Sequence, residues 1–343
     1  MPRAKPLPVG KLPPNLLKKL LHSCAIAKSS GVILGPKYGE DAAVLEVGGK
    51  YLVAKTDPIT FTADRIGWYA VNINANDIAT LGGRPRWFLA TFLFPEGQTT
   101  PADVKRVMRE TEKACGSLGI TFCGGHTEIT PGLARPLMVG LMLGEVEKSK
   151  LVRKEHQRPG DLIVLTKGVA IEGTAILARE KAALLRKVLG AAMVQRAQRL
   201  LSNPGISVVR DAQLALQHGE AHAMHDPTEG GLVTALFELA HAGKVGMQVW
   251  RERIPVLPET RAVAQALNID PLALLASGAL LIVASPGSAA RIVRGLHQQR
   301  IAAEVIGQIR KLKDGIVITE GGRTKPLHIP RRDEMARLLA GTS

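Results

Sequence analysis

Hydrophobic positions along this chain alternate between strand-like and helix-like patterns. Four short apolar runs have the length and composition of buried strands: 51–56, 87–94, 120–123 and 137–146. Three longer segments repeat apolar residues at the spacing of one helical face: 16–27, 63–81 and 100–118. Thr100 before Pro101 indicates a helix start, and Gly82–Gly83 indicates a helix end. The first half therefore predicts strands that alternate with helices.

The second half continues this alternation after a charged stretch at 145–161. A strand at 162–166 and a mainly helical region to about residue 219 come first. Further helices and strands are predicted at 232–242, 279–284, 286–299 and 303–307. We interpret the charged stretch as a junction and predict two domains, residues 1–150 and 151–343. The predicted fold class is mixed α/β in both halves.

The composition is typical of a folded α/β enzyme. Hydrophobic residues make up 45% of the 343 positions and aromatic residues only 3%, so the core must be mainly aliphatic. Three scattered cysteines do not suit a disulfide framework, and without a C-x-x-C pair a structural zinc site is not expected. These features favour a reducing cytoplasm.

The net charge of +15 would attract polyanions. Because no aromatic-interleaved basic patch or base-reading helix motif accompanies the charge, we do not predict nucleic-acid binding. Attraction of phosphate substrates explains the charge equally well. The uncharged stretch 271–290 approaches the length of a membrane span, but proline, glycine and serine interrupt it. We therefore predict a short buried strand there and a soluble protein.

Four aspartates are the main candidates for chemistry. Each stands among small residues near a turn or the end of an element: Asp41, Asp57, Asp77 and Asp226. Carboxylates beside glycine suit a divalent metal ion and phosphate oxygens, because the backbone can approach closely. A single such aspartate is usually a turn residue, whereas four together favour a metal site.

Two further patterns leave alternatives open. Gly124, Gly125, His126 and Thr127 form a segment that could cradle a phosphate with backbone N–H groups, or could be a tight turn between strands. His218 and His222 have the spacing of two metal ligands on one helix. Because the intervening residues do not match H-E-x-x-H, a solvated helix end is the favoured interpretation. Neither a Walker A loop nor a G-x-G-x-x-G fingerprint is present.

The chain resembles the aminoimidazole ribonucleotide (AIR) synthase-related, or PurM-like, superfamily from about residue 30 to residue 322. Five segments carry the resemblance: Gly39–Val44, Thr56–Asp57, Asn76–Ala79, Gly124–Glu128 and Asp226–Gly231. Within the superfamily, the Gly-Glu-Asp-Ala-Ala-Val and Asp-Pro-Thr-x-Gly-Gly forms most resemble the hydrogenase-maturation proteins HypE.

The resemblance implies an N-terminal α/β domain, whose sheet joins that of a second copy in a barrel across a homodimer, and a C-terminal α/β sandwich. It also implies an ATP-dependent enzyme in which Asp41, Asp57, Asp77 and Asp226 hold Mg²⁺ ions that bridge ATP phosphates. Gly124, Gly125, His126 and Thr127 would then lie near the nucleotide phosphates. Many members have an acidic residue in place of His126, and Glu128 is a candidate substitute.

The C-terminal sequence departs from the HypE pattern. HypE proteins end in a Pro-Arg-Ile-Cys tail whose cysteine carries a carbamoyl group. Here Ile329-Pro330-Arg331-Arg332 is followed by no cysteine, and the last cysteine is Cys123. We therefore expect that this chain is not a carbamoyl carrier, because Cys24, Cys115 and Cys123 are all predicted in helices or a buried strand.

The sequence thus predicts a cytoplasmic, homodimeric enzyme that uses ATP and Mg²⁺ to activate an unidentified small molecule by phosphoryl transfer to an oxygen. The alternatives are a hydrogenase maturation factor with altered chemistry and a non-catalytic nucleotide-binding scaffold. No catalytic residue is assigned from the sequence.

Overall fold

Two β-sheets covered by helices make up the part of the chain that the computed structural model describes, residues 7, 12–24, 31–60, 62–329 and 333–339. The helices are α1 Pro14–His22, α2 Ile66–Thr80, α3 Pro101–Ser117, α4 Ile171–Glu180, α5 Ala182–Leu189, α6 Ala191–Arg199, α7 Val209–His218, α8 Gly231–Gly243, α9 Pro258–Leu267, α10 Pro286–Gln298 and α11 Glu334–Leu339. The strands are β1 Val32–Leu34, β2 Ala43–Val47, β3 Lys50–Ile59, β4 Arg84–Pro95, β5 Thr121–Thr130, β6 Leu137–Val146, β7 Leu162–Thr166, β8 Ala223–His225, β9 Gly246–Trp250, β10 Leu281–Ala284, β11 Ala303–Arg310, β12 Ile316–Glu320 and β13 Arg323–Pro326.

The N-terminal sheet has the strand order β1-β2-β3-β6-β4-β5, with β4 and β5 parallel and the other neighbours antiparallel. Helices α2 and α3 cover one face, where Val53, Phe88, Phe92 and Met142 are buried. The alternation of these residues with less buried neighbours follows from the two-residue period of a strand. The opposite face carries half-buried or exposed apolar side chains.

The C-terminal sheet has the order β13-β12-β9-β11-β7-β10-β8, in which only β9 and β12 run parallel among the described strands. Strands β7 and β10 are almost entirely buried aliphatic residues, since helices pack on the sheet. Mixed α/β structure in both halves confirms the predicted fold class. The two sheets fall on either side of residue 150, and the domain boundary there stays a prediction.

Helix α2 differs from its prediction in one informative respect. The spacing of Ile66, Ala70, Ile73 and Ile78 predicts one buried face, but every residue of α2 except Trp68 is buried. The reason is that α2 packs between the N-terminal sheet and the α7–β8 region of the second half. Its polar residues therefore face protein on all sides.

The segment 124–127, for which the sequence suggests a phosphate cradle or a tight turn between strands, lies instead inside the edge strand β5. Glycine is required at this point because a Cβ on Gly125, whose φ is +140°, would lie 1.9 Å from the carbonyl oxygen of Ala90. The register shift between Phe88 and Ala90 marks the same irregularity as a bulge. The two glycines therefore permit an irregular strand pairing that the sequence pattern alone presents as a turn. The predicted start of α3 is confirmed, since Thr100 and Asp103 form a capping box.

Candidate metal and nucleotide site

The four candidate aspartates line one cavity of about 230 Å³ between the two halves of the chain. Asp41 precedes β2, Asp57 lies near the end of β3, Asp77 lies in the last turn of α2, and Asp226 follows β8 directly. The fold therefore brings together residues that are up to 185 positions apart in the sequence, from Asp41 to Asp226.

Asp226 has the least compensated charge in this cavity. Its side chain is 1% exposed, and neither carboxylate oxygen has a hydrogen-bond partner among the residues that the structure describes. Burial, together with the carboxylates of Asp77 and Asp41, raises its pKa well above the ordinary value. An uncompensated buried carboxylate is costly unless a proton or a cation neutralises it. The environment of Asp226 therefore fits a bound cation.

The groups around Asp226 also match the ligand preferences of a metal ion. Carboxylate oxygens of Asp41 and Asp226 lie within 4.8 Å of each other, with a ring nitrogen of His225 inside the same distance. Asp77 lines the same cavity, where its Oδ2 atom is paired with Lys55 Nζ. Carboxylate oxygens are the ligands that Mg²⁺ prefers, usually one or two for each ion. The aspartates present thus fit the ion that the sequence predicts.

Asp41 is held by two basic groups. Lys154 Nζ lies 2.9 Å from Asp41 Oδ2, and His225 Nδ1 lies 2.8 Å from Asp41 Oδ1. Burial alone would raise the pKa of Asp41, but His225 and Lys154 hold it well below its usual range. The Lys154 side chain is 1% exposed and also donates to the carbonyl oxygen of Gly39 at 2.5 Å. Asp41 is therefore fixed in its charged form before any ligand binds.

His225 continues this network to α8. Its Nε2 atom lies 3.0 Å from Glu238 Oε2, so the ring lies between the carboxylates of Asp41 and Glu238. Although burial alone would lower the pKa of His225, the Asp41 carboxylate raises it above its ordinary value. With a proton on each nitrogen, the ring donates to both carboxylates. His225 thus connects the loop that carries Asp41 to the second half of the chain.

Lys55 places a second positive charge beside the cavity. Its Nζ atom lies 3.2 Å from Asp77 Oδ2 and 3.7 Å from Asp57 Oδ2. Burial alone would lower the pKa of Lys55, but Asp77 and Asp57 raise it above its ordinary value. Burial raises the pKa of Asp77 to about 7, against the opposing effect of Lys55. The cavity therefore holds the permanently charged ammonium group of Lys55 beside the carboxyl group of Asp77, whose pKa lies near neutrality.

Sequence comparison identifies the family to which this site belongs. Residues 39–146 match the model of the AIR synthase related protein N-terminal domain, and residues 158–320 match that of its C-terminal domain. The chain belongs to the AIR synthase-related family. Together the two matches span most of the chain and include all four aspartates.

Relatives and solved structures agree with this assignment. The chain is 25% identical to a Methanocaldococcus jannaschii protein named for hydrogenase expression or formation, over 96% of this chain and 97% of that protein. It is 28% identical to the carbamoyl dehydratase HypE of Rhizobium leguminosarum, over 79% and 77% respectively. A crystal structure of the hydrogenase maturation protein HypE in complex with ATP superposes with a TM-score of 0.71 at 25% identity, covering 86% of this chain and 90% of that one. The superposition confirms the two-domain α/β fold of the family.

The predicted phosphate segment of this family member lies away from the aspartate cavity. Gly124, Gly125, His126 and Thr127 are on the outer strand β5 and are not among the residues that line the cavity. In the sheet, Asp57 pairs with Gly140, Gly140 with Ala90, and Ala90 with Gly125. Three strand spacings, about 14 Å, therefore separate Asp57 from the glycines within one chain. Their role at the nucleotide stays a prediction.

Several residues of the site escape sequence reasoning. Lys55 and Asp57 are two positions apart in one strand, so the strand period could have placed them on one face. His225 stands next to Asp226 in the sequence. Lys154 lies in the charged junction and Glu172 at the start of α4, and neither position carries a local pattern that points to the cavity.

The histidine prediction is wrong for His222. Helix α7 ends at His218, and His222 is buried with its Nδ1 atom 2.8 Å from Asp161 Oδ2. A carboxylate in the junction thus satisfies a histidine that the sequence pattern presents as solvated. Because this partner lies 61 residues away in the sequence, local spacing gives no indication of it.

The cysteine predictions are also partly wrong. Cys115 is buried in α3, but Cys24 and Cys123 are exposed. Cys123 is exposed because β5 is the edge of its sheet and not a covered strand. The expectation that no cysteine carries a carbamoyl group therefore stays a prediction. Of the three cysteines, only Cys115 supports it, because only Cys115 is buried. The Pro330-Arg331-Arg332 segment lies outside the described residues.

The C-terminal helix contacts the loop that carries Asp226. Asp333 accepts hydrogen bonds from the backbone N–H of Gly230 at 2.5 Å and from that of Met335 at 2.6 Å. Met335 is fully buried, and Glu334 N–H donates to the carbonyl oxygen of Ala273. This contact therefore joins α11 to the glycine-rich turn after Asp226.

Among the described helices, none is long and apolar enough to cross a membrane.

Proposed function

We propose that this chain is an ATP-dependent enzyme that uses Mg²⁺ to transfer phosphate to an oxygen of a small molecule, in a role similar to that of the HypE proteins. The observation that carries the proposal is the buried carboxylate of Asp226, without a hydrogen-bond partner in the described chain, beside Asp41 and Asp77. Support comes from the relatives named carbamoyl dehydratase HypE and from the ATP complex of a HypE protein.

Each part of the site has a task in this proposal. Asp41, Asp57, Asp77 and Asp226 would hold Mg²⁺, which when bound neutralises phosphate charge. Lys55 supplies a fixed positive charge at the cavity wall, and the buried Lys154 holds Asp41 in position. Because phosphoryl transfer depends on positioning and charge neutralisation, these residues supply what the reaction needs from the protein.

Removal of one carboxylate tests the metal site. We expect Asp226→Asn and Asp41→Asn to weaken Mg-ATP binding at least tenfold, which corresponds to about 1.4 kcal/mol, because phosphate charge is then less well neutralised. Calorimetric titration of each variant measures the effect. Asp314→Asn, at an exposed turn before β12, serves as the matched control and should bind like the wild type. Unchanged affinity in both site variants would place the metal site elsewhere.

ATP turnover separates an enzyme from a scaffold. The proposed enzyme should hydrolyse ATP, or transfer its terminal phosphate, in the presence of its acceptor or of hydrogenase-maturation partners. A nucleotide-binding scaffold would bind Mg-ATP with the same dependence on Asp226 but show no turnover under either condition. Both outcomes follow from one set of assays on the wild-type protein.

We also propose that the chain forms a homodimer through the outer face of the N-terminal sheet. Leu141 is 38% exposed there, among partly buried apolar neighbours that no helix of the described chain covers: Leu52, Trp87, Leu89, Leu93, Leu137, Val139 and Leu143. A continuous apolar face of this kind is typical of an interface.

The proposed cytoplasmic location stays a prediction.

Light scattering should give about twice the chain mass of 36.7 kDa. We expect Leu141→Lys to shift the protein to the monomer, because a charge would be buried in the interface without a partner. Val47→Lys is the matched control, since Val47 is a 58% exposed apolar residue at the end of β2. A wild-type monomer at micromolar concentration would contradict the proposed dimer.

A further inference from the structure

One wall of the aspartate cavity has no task in phosphate binding. It is formed by Glu172 and Ile176 from α4 and by Leu275 and Ser277 from the loop before β10, and we call it the α4 wall. The two segments are joined directly, because the backbone N–H of Glu172 donates to the carbonyl oxygen of Ser277 at 3.2 Å. Glu172 and Ser277 therefore present their side chains to the cavity from adjacent positions.

Both polar side chains of the α4 wall are buried and unsatisfied. Glu172 is 3% exposed and Ser277 is fully buried, yet Glu172 Oε2 and Ser277 Oγ have no hydrogen-bond partner in the described part of the chain. Elsewhere on the same helix the buried Thr174 is satisfied, since its hydroxyl donates to Thr260 Oγ1 at 3.0 Å. Leaving such groups unpaired away from water destabilises the folded state. The unsatisfied groups are thus at the α4 wall, where a ligand could complete them.

The charge around Glu172 selects the kind of ligand. Burial raises the pKa of Glu172 to about 7, and the carboxylates of Asp333, Glu229 and Asp57 raise it as well. The Ser277 hydroxyl opposes this in part, although its geometry does not complete a hydrogen bond. An added anion would be repelled by these groups, whereas a cation with N–H donors would pair with them. Ile176 and Leu275 flank the position with apolar surface, which suits a small flat group.

We propose that the α4 wall is the acceptor subsite and that it binds a cationic nitrogen group, an ammonium, amidinium or guanidinium, through Glu172 Oε2 and Ser277 Oγ. The role of this subsite in holding the phosphate acceptor rests on the proposed function, whereas its binding of a nitrogen cation rests only on the residues of the α4 wall. A planar amidinium offers two N–H donors side by side, which matches two neighbouring oxygen acceptors. The small-molecule substrate is then one that carries both an oxygen to be phosphorylated and a basic nitrogen.

Acetamidinium is the probe, and acetamide is its uncharged analogue of the same shape. Each is titrated calorimetrically into the full chain, with and without Mg²⁺ and a non-hydrolysable ATP analogue. We expect wild type to bind acetamidinium at least tenfold more tightly than acetamide. Glu172→Gln should abolish this preference by weakening acetamidinium binding at least tenfold, and Ser277→Ala should weaken it about threefold. Glu180→Gln, at the exposed end of the same helix, should leave it unchanged.

The two proposals fail in different ways in this experiment. Loss of Mg-dependent binding of the ATP analogue by the wild type would count against the proposed function and leave the probe titrations readable. Equal binding of acetamide and acetamidinium, or an undiminished acetamidinium affinity in Glu172→Gln, would overturn the subsite. An unchanged affinity for the ATP analogue in Glu172→Gln shows that the variant is folded and that its effect is confined to the α4 wall.

Discussion

Lys154→Met should reduce the free energy of unfolding by about 3–5 kcal/mol, the range for breaking a buried ion pair. Methionine replaces most of the apolar stem but leaves Asp41 with one basic partner, His225, and leaves the carbonyl oxygen of Gly39 without the Lys154 donor. The buried carboxylate then lacks much of its compensation, which is why the effect exceeds that of a lost surface contact. Urea denaturation of wild type and variant measures the difference.

Lys150→Met is the matched control for this prediction. Lys150 lies in the same junction and is paired with Glu147 at 2.8 Å, but its side chain is 64% exposed. Exposed pairs contribute at most about 1 kcal/mol. Equal losses in the two variants would contradict the assignment of Lys154 as a buried structural cation. Addition of Asp41→Asn to Lys154→Met should restore part of the stability, because the unpaired charge is removed.

Glu172→Gln should change how stability depends on pH. The ordinary pKa of glutamate is 4.5 here and the folded value is about 7, so the folded protein retains the Glu172 proton more firmly than the unfolded chain. Wild-type stability from this group is therefore complete below pH 4.5, falls as the pH rises, and is lost above pH 7. The loss amounts to about 3 kcal/mol for a shift of this size. Glutamine does not titrate, so the Glu172→Gln variant does not lose this stability as the pH rises.

The measurement is the difference between the unfolding free energies of Glu172→Gln and wild type at pH 5 and pH 8. We expect the variant to gain about 2.5 kcal/mol relative to wild type over this interval, since part of the loss has already occurred at pH 5. Asp77 also has a raised pKa, and its contribution is common to both proteins and cancels. A difference that is constant with pH would show that Glu172 is solvated in the folded state.

Strands and helices with a clear period could be predicted from the sequence because each buries one face against the core. The bounds of β6 and β7 agree with their predictions, at 137–146 and 162–166, and α3 begins at its predicted cap. The pattern fails for α2, which is covered on all sides, and for β5, where glycine permits a bulge. In both cases the deciding contacts come from a distant part of the chain.

The candidate site was predictable to a similar extent. Small-residue surroundings identify the four aspartates, which the fold then brings into one cavity. Lys154 and Glu172 could not be found in this way, since each acts through a partner more than 100 positions away: Asp41 for Lys154 and Ser277 for Glu172. A sequence shows which groups prefer ligands, whereas the long-range pairing of buried charges requires the folded structure.

The hydrogen bond from Gly230 to Asp333 couples the docking of the C-terminal helix to the conformation of the turn that carries Asp226. Any ligand that favours the present conformation of this turn also favours the docked state of α11, and by reciprocity the docked helix increases the affinity for that ligand. The rate of amide hydrogen exchange in α11 should therefore report occupancy of a cavity that the helix itself does not line.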